Sequence, residues 1–253
     1  MIDLHSHILP GLDDGVGTTV ESVELARVAA ADGVEAIAAT PHVREDYPTS
    51  ADAMEAALAE VRAALAAAGV EIRVLPGGEL ALPELARLDL RELRRFGLGG
   101  NPDYLLVETP YHGWPLDIED LFFRLHAAGV TPVLAHPERN ADVQSNLERV
   151  RRLVRAGTLV QVTASSLDGR GGRRARETAL RLVREGLVHL VASDAHSPEV
   201  RAAGLGAAVR ALADEPLARW LTHDVPAAIV AGAELPPRPE AAPRRRFRPF
   251  GRF

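Results

Sequence analysis

Ile2-Asp3-Leu4-His5-Ser6-His7 decides how the rest of the chain is read. It is a short apolar run closing on two histidines two residues apart, so on an extended strand both imidazoles project from one face. The same pattern returns along the chain. Val34 to Ala39 leads into His42, Ile72 to Leu75 into Glu79, Tyr104 to Val107 into Glu108, Val133 to Ala135 into His136, and His189 to Ala192 into Asp194 and His196. The runs recur at roughly thirty residues, the length of one β/α unit. Unrelated core strands have no reason to finish in metal-binding side chains. Parallel strands of a barrel do, because their C-terminal ends converge on one face where a site assembles.

Helical segments fill the intervals. Thr18 and Thr19 are placed to cap a helix with Val20, Val23, Leu25 and Val28 apolar, ending near Gly33. Met54, Leu58, Val61 and Leu65 step by three and four residues until Gly69. Further helices fit Ile118 to Ala128, Leu147 to Ala156, Ala175 to Glu185 and Glu199 to Ala213, while Leu80 to Gly100 reads as a short helix plus loop. With Leu159 to Thr163 as another strand, the pattern predicts an α/β chain of seven units, a (β/α)7 TIM-like barrel.

The 253 residues suffice for one barrel-sized domain over 1–232. No apolar run approaches the ~20 residues of a membrane span, and the N-terminus lacks the regions of a signal peptide, so a soluble, cytoplasmic protein is expected. Cysteine is absent and all 29 basic residues are arginine. Disulfides, thiolate ligands, a cysteine nucleophile and lysine Schiff-base chemistry are therefore excluded. Residues 233–253 form a Pro/Arg-rich tail, expected to be extended and disordered, with five arginines and no acid beyond Glu240. Arginine interleaved with phenylalanine there suits an anionic membrane surface or an acidic partner; the plainer reading is a solvated terminus.

The strand-end residues are His, Asp and Glu throughout. Imidazole with carboxylate accepts manganese, iron or zinc, and repeated carboxylates favour more than one ion. Asp3-Leu4-His5-Ser6-His7, the Asp13-Asp14-Gly15 that follows, Thr40-Pro41-His42, Gly78-Glu79, Val107-Glu108, His136-Pro137-Glu138-Arg139 and Ser193-Asp194-Ala195-His196 resemble the polymerase-and-histidinol-phosphatase (PHP) superfamily. Within it they are most similar to the capsular-polysaccharide branch of manganese-dependent protein-tyrosine phosphatases.

That resemblance implies a distorted seven-stranded barrel (the PHP fold) holding three divalent ions, manganese first. By position, His5, His7, Glu79 and Asp194 would hold one ion, Glu79, Glu108 and His136 a second, and Asp14, His42 and His196 a third. Asp13 is expected to be structural or to support a ligand, and Asp3 to support a histidine or a turn. Arg139 and Arg201 are the candidate phosphate clamps, with a surface ion pair and a solvated helix charge as their plainer readings. Tyr111 and Trp114 offer an aromatic wall or plain packing. Where the family often has a second histidine after His42, this chain has Val43, which bears on substrate contacts from Val43 to Tyr47.

The implied function is hydrolysis of phosphotyrosine on a membrane-associated bacterial tyrosine autokinase controlling capsule or exopolysaccharide synthesis. Alternatives are a small-molecule phosphatase such as a histidinol phosphatase, and a non-catalytic, metal-binding kinase-docking module. A nucleic-acid partner is not expected, because the chain carries a net charge of −6 and lacks a basic stripe outside the tail.

Overall fold

The computed structural model describes residues 1–199 and 204–240. Ten short strands run in chain order as β1 (Ile2–Ser6), β2 (Ala36–Ala39), β3 (His42–Arg44), β4 (Tyr47–Pro48), β5 (Arg73–Leu75), β6 (Glu79–Ala81), β7 (Tyr104–Glu108), β8 (Thr131–Leu134), β9 (Leu159–Thr163) and β10 (Leu190–Ala192). The helices are α1 (Thr19–Ala31), α2 (Ala51–Ala67), α3 (Glu84–Arg87), α4 (Leu90–Arg95), α5 (Ile118–Ala127), α6 (Ala141–Ser145), α7 (Glu148–Arg155), α8 (Ala164–Asp168), α9 (Arg173–Arg184), α10 (Gly206–Leu212), α11 (Glu215–Arg219) and α12 (Val225–Ala231).

The architecture is mixed α/β with a curled seven-stranded sheet of order β10-β9-β8-β7-β6-β3-β4 and a three-stranded sheet β1-β2-β5. All pairings are parallel except the β3–β4 hairpin. Such strands are covered on both faces, which is why Leu105, Leu106 and Val107 form one apolar run with no exposure.

Two of the expected strands are broken just before their ligands. Pro41, which has no N–H to donate, separates β2 from β3, and Pro76-Gly77-Gly78 separates β5 from β6. His42 and Glu79 therefore do not end a strand; each opens a second one, and they lie in register side by side. The break is held by Thr40 N donating to the Ser6 carbonyl (2.8 Å) and Glu79 N to the Pro41 carbonyl (3.0 Å). On the far side a bridge joins Ser6 to Ala195, and Asp194 N donates to the His5 carbonyl at 2.9 Å. These contacts bring the ends of β1 and β10 together.

The helices follow local chemistry. Thr18 accepts from Glu21 N while Glu21 reaches back to the Thr18 N–H, a capping box that starts α1. Its buried stripe is Ser22, Leu25, Ala26 and Ala29; Val20 is 78% exposed, so the valines do not define the packed face as their spacing suggests. In α2 the expected stripe of Met54, Leu58, Val61 and Leu65 is the buried one. Leu80 to Gly100 holds two short helices, α3 and α4, rather than one. Of the segment Glu199 to Ala213, only 206–212 is helical among the described residues.

Residues 233–240 form no helix or strand and lie on the body of the protein. Trp220 Nε1 donates to the Pro236 carbonyl at 2.9 Å, and Arg238 donates to the carbonyls of Val183 (2.9 Å) and Val188 (3.2 Å). Residues 241–253, with the Arg/Phe motif, lie outside the described residues. Among the described residues no helix is long and apolar enough to cross a membrane.

Candidate metal centre

The strand ends bring five imidazoles and four carboxylates to one place. His5 and His7 arrive on β1 and just beyond it; His42 and Glu79 open β3 and β6; Glu108 ends β7; His136 follows β8, Asp194 and His196 follow β10, and Asp14 lies on the loop after β1. His136 and Asp194 both sit in left-handed backbone, at φ 32° and 53°. A non-glycine residue tolerates that conformation only when its surroundings impose it, and such strain concentrates at functional sites.

In the most enclosed group His5, His7, Glu79 and Asp194 are all buried. His5 Nε2 lies 3.2 Å from Glu79 Oε2 and 3.3 Å from Asp194 Oδ1, and His7 Nε2 lies 3.3 and 3.2 Å from the same atoms. Donors on one cation with bonds near 2.1 Å are about 3.4 Å apart in a tetrahedron, so these four atoms fit a shared ion. A second group joins His7, Asp14, His42 and His196, with Asp14 Oδ1 at 3.3 Å from His196 Nε2 and 3.5 Å from His42 Nε2. The third contains His42, Glu79 and Glu108, where His42 Nδ1 is 3.1 Å from Glu79 Oε2 and 3.3 Å from Glu108 Oε1. His136 joins through Glu79, its Nε2 at 2.7 Å from Oε1. A neutral imidazole offers a single lone pair, so His42 can serve only one of its two groups at a time.

The electrostatics ask for cations. Burial opposes the charge of Glu79, but the facing imidazoles of His5 and His136 hold its carboxyl well below the usual range. Asp194 is likewise held down against its burial by His5, His7 and Arg139. Burial disfavours charge on His5 and His7, yet the surrounding carboxylates raise both. Glu79 Oε2 and His42 Nδ1 are buried without a hydrogen-bond partner, a costly arrangement for protein alone. A set of imidazole and carboxylate donors with orphaned atoms facing one another fits manganese, iron or zinc.

Supporting residues orient these donors. Asp13 is 2.7 Å from His7 Nδ1 through Oδ2, which also accepts from His42 N (2.9 Å); the other ring nitrogen of His7 is thereby turned into the site. Asp3 accepts from Ser193 N (2.9 Å) and His5 N (3.3 Å), and burial raises its pKa to about 6 despite those bonds. Gln161 stands outside the motifs yet its Oε1 meets His5 Nδ1 and the backbone N of His136, each at 3.2 Å. Its only signal in the sequence is that it is a polar amide between two valines in the run Leu159 to Thr163. Arg44 and Tyr47 also stand outside: Arg44 Nη1 is 3.4 Å from Glu108 Oε1, and Tyr47 stacks on His42 at 5.8 Å and 14°.

Arg139 is held in the 3₁₀ turn after His136, where Nη1 contacts Asp194 Oδ2 at 2.5 Å. Its neighbour Glu138 does not pair with it at the surface; it is buried and accepts from Thr163 N. Tyr111 is 51% exposed with its ring 6.3 Å from that of His136, whereas Trp114 packs under Arg149. Arg201 lies outside the described residues.

A curled, largely parallel sheet whose strand ends gather this donor set defines a mixed α/β protein with several groups of side chains able to hold a metal ion. The chain belongs to the capsular polysaccharide synthesis family CpsB/CapC, whose family model matches residues 1–230. Tyrosine-protein phosphatase YwqE of Bacillus subtilis is 38% identical over 202 residues, covering 79% of each chain. Tyrosine-protein phosphatase CpsB of Streptococcus agalactiae is 31% identical over 209 residues, 79% of this chain and 85% of that one. A solved structure from work on YwqE from Bacillus subtilis and CpsB from Streptococcus pneumoniae, described there as unique metal-dependent tyrosine phosphatases, superposes with a TM-score of 0.85 at 32% identity, over 96% of this chain and 100% of that one.

Proposed function

We propose that this chain is a metal-dependent protein-tyrosine phosphatase acting on a bacterial tyrosine autokinase that regulates capsule or exopolysaccharide synthesis. The observation that carries the reading is the nine-donor cluster at the strand ends of a chain 38% identical to a tyrosine-protein phosphatase. The β1–β10 contact and the continuations of β2 into β3 and β5 into β6 support a distorted (β/α)7 barrel as the scaffold.

Three divalent ions, manganese in the first place, are assigned to His5/His7/Glu79/Asp194, to Glu79/Glu108/His136 and to Asp14/His42/His196. The 2.7 Å contact of His136 with Glu79 supports His136 in the second set, leaving the Nε2 of His42 for the third. Ions held there supply Lewis acidity, which lowers the pKa of water from about 15.7 toward ~7 and neutralises phosphate oxygens. The protein's own part is positional. Gln161 and Asp13 fix the faces of His5 and His7, Glu79 would serve in two of the sets, and Arg139, pinned by Asp194, presents its remaining N–H groups to a phosphate in a forked, charge-assisted pair. Arg201 is the second clamp. Tyrosyl oxygen leaves as a phenolate of pKa ~10, so the site functions without a dedicated general acid. The autokinase is the partner, the compartment is the cytoplasm, and the Arg/Phe tail is assigned to the membrane surface.

The test is phosphate release by manganese-loaded protein from phosphotyrosine peptides, phosphoserine peptides and histidinol phosphate, with His136→Ala as control. The expected result is a phosphotyrosine preference lost in the control. Preference for histidinol phosphate would replace the signalling reading with that of a metabolite phosphatase.

A further inference from the structure

Beside the metal centre, Tyr111, Arg139 and Gln144 line a cavity of about 450 Å³ together with Gly171 and the first residues of α9, Arg173 and Arg174. A second cavity of about 350 Å³ continues from it, sharing Gln144 and Arg174 and ending at Arg181 and Ser145. The two form one groove between α6 and α9, leading away from Arg139. Its floor is set by α9, which buries Ala175, Thr178, Ala179 and Leu182 against the body and leaves Arg174 and Arg181 exposed along the rim. Neither arginine has a carboxylate partner among the described residues, and the groove's one acid, Glu177, pairs with Arg173 at 3.7 Å. On a chain of net charge −6, this strip has the opposite sign.

We propose that the α6–α9 groove is a docking channel for acidic residues flanking the phosphotyrosine of a protein substrate. The proposal rests on the phosphotyrosine reading above and adds to it a sequence preference. Charge selects the occupant: the groove attracts a carboxylate-bearing peptide and repels the chain's own arginine-rich tail. Its length sets the spacing. Arg174 and Arg181 are two helical turns apart, ~10.5 Å along the axis, which an extended peptide covers in about three residues. Arg139 and Tyr111 at the inner end hold the phosphorylated residue, and the side chains further out meet Arg174 and then Arg181.

The experiment compares phosphotyrosine peptides that differ only at two positions three residues apart, occupied by Asp, Asn or Arg and placed on either side of the phosphotyrosine. With manganese-loaded full-length enzyme, kcat/KM for the Asp peptide of the correct polarity is expected to exceed that of the Asn peptide about fivefold, as two exposed ion pairs allow. Rising salt shrinks the ratio. In R174E/R181E the order inverts in favour of the Arg peptide, an outcome that loss of folding cannot produce. Equal kcat/KM for the three peptides in the wild-type enzyme overturns the docking channel and leaves the phosphatase reading intact. Hydrolysis of none of them, with turnover of histidinol phosphate, overturns both.

Discussion

At the residue scale, the centre depends on side chains outside the candidate donor set. Gln161 is the clearest case, because a single amide oxygen meets both the Nδ1 of His5 and the backbone N of His136. That contact fixes His5 with its Nδ1 protonated and its Nε2 lone pair directed at Glu79 and Asp194. Replacing Gln161 with leucine keeps the volume and removes the acceptor. The expected result is a folded protein whose metal affinity falls about 10- to 100-fold, the usual effect of losing such a partner, measured by competition with a chromophoric chelator. Unchanged affinity would show that the imidazole is held by packing alone. Asp194 carries a second lesson. Its left-handed backbone, its contact with Arg139 and its place between His5 and His7 mean that one residue joins the candidate ion site to the candidate phosphate clamp. Arg139→Lys is expected to lower kcat/KM by about 100-fold or more, since an ammonium cannot contact Asp194 and fork onto a phosphate in the same plane. Equal kinetics of the lysine variant would remove Arg139 from the reaction.

At the element scale, the two broken strands decide where the ligands sit. Gly78 immediately precedes Glu79, and a Cβ there would come within 2.6 Å of Phe96 Cδ1. Phe96 is itself fully buried, so Gly78→Ala forces a displacement in the core costing about 1–3 kcal/mol. Glu79 moves with it. The expected outcome is a lower melting temperature together with substoichiometric metal by elemental analysis, both partly restored by adding Phe96→Leu, which replaces the rigid ring carrying the 2.6 Å contact with a smaller side chain. Much of this layer was legible beforehand. The apolar runs point to eight of the donors that the fold gathers, Asp14 followed only from the resemblance, and the spacing of Met54, Leu58, Val61 and Leu65 identified the buried side of α2. What escaped was whatever depends on curvature or on partners remote in sequence. The breaks at Pro41 and at Pro76-Gly77-Gly78 accompany the curl of the sheet, and periodicity carries no record of that curl. Likewise Val20 and Val28 look like core positions, but the closeness of α1 to its neighbours favours the small Ala26 and Ala29 at the contact. Gln161 and Arg44 acquire their meaning only from residues tens of positions away.

At the scale of the whole molecule, the chain after α12 reaches the start of β10, the opposite end of that strand from Asp194. Arg238 stacks over Trp220 at 5.6 Å and donates to the Val183 carbonyl near the end of α9 and to the Val188 carbonyl beside His189, just before β10. His189 is half-buried with its Nδ1 accepting from Val160 N, and that loss of solvent, assisted by the charge of Arg238, pushes its pKa down to about 4. The sign of the linkage follows from this depression. Between about pH 6.5 and pH 4 the unfolded chain binds a proton at this position and the folded chain does not, so stability falls as pH drops through that window and is unaffected by this group above it. The full difference corresponds to about 3 kcal/mol. His189→Gln keeps an acceptor for Val160 N and abolishes the titration. Urea midpoints of the two proteins should therefore converge or cross as the pH is lowered from 7 to 4, the wild type losing more. Parallel curves would mean that His189 titrates normally and that the 233–240 segment does not shield it. Arg238→Ala separates the two contributions: it removes the nearby cation and leaves the burial, so the His189 pKa, followed by NMR, should rise while staying below 6.5.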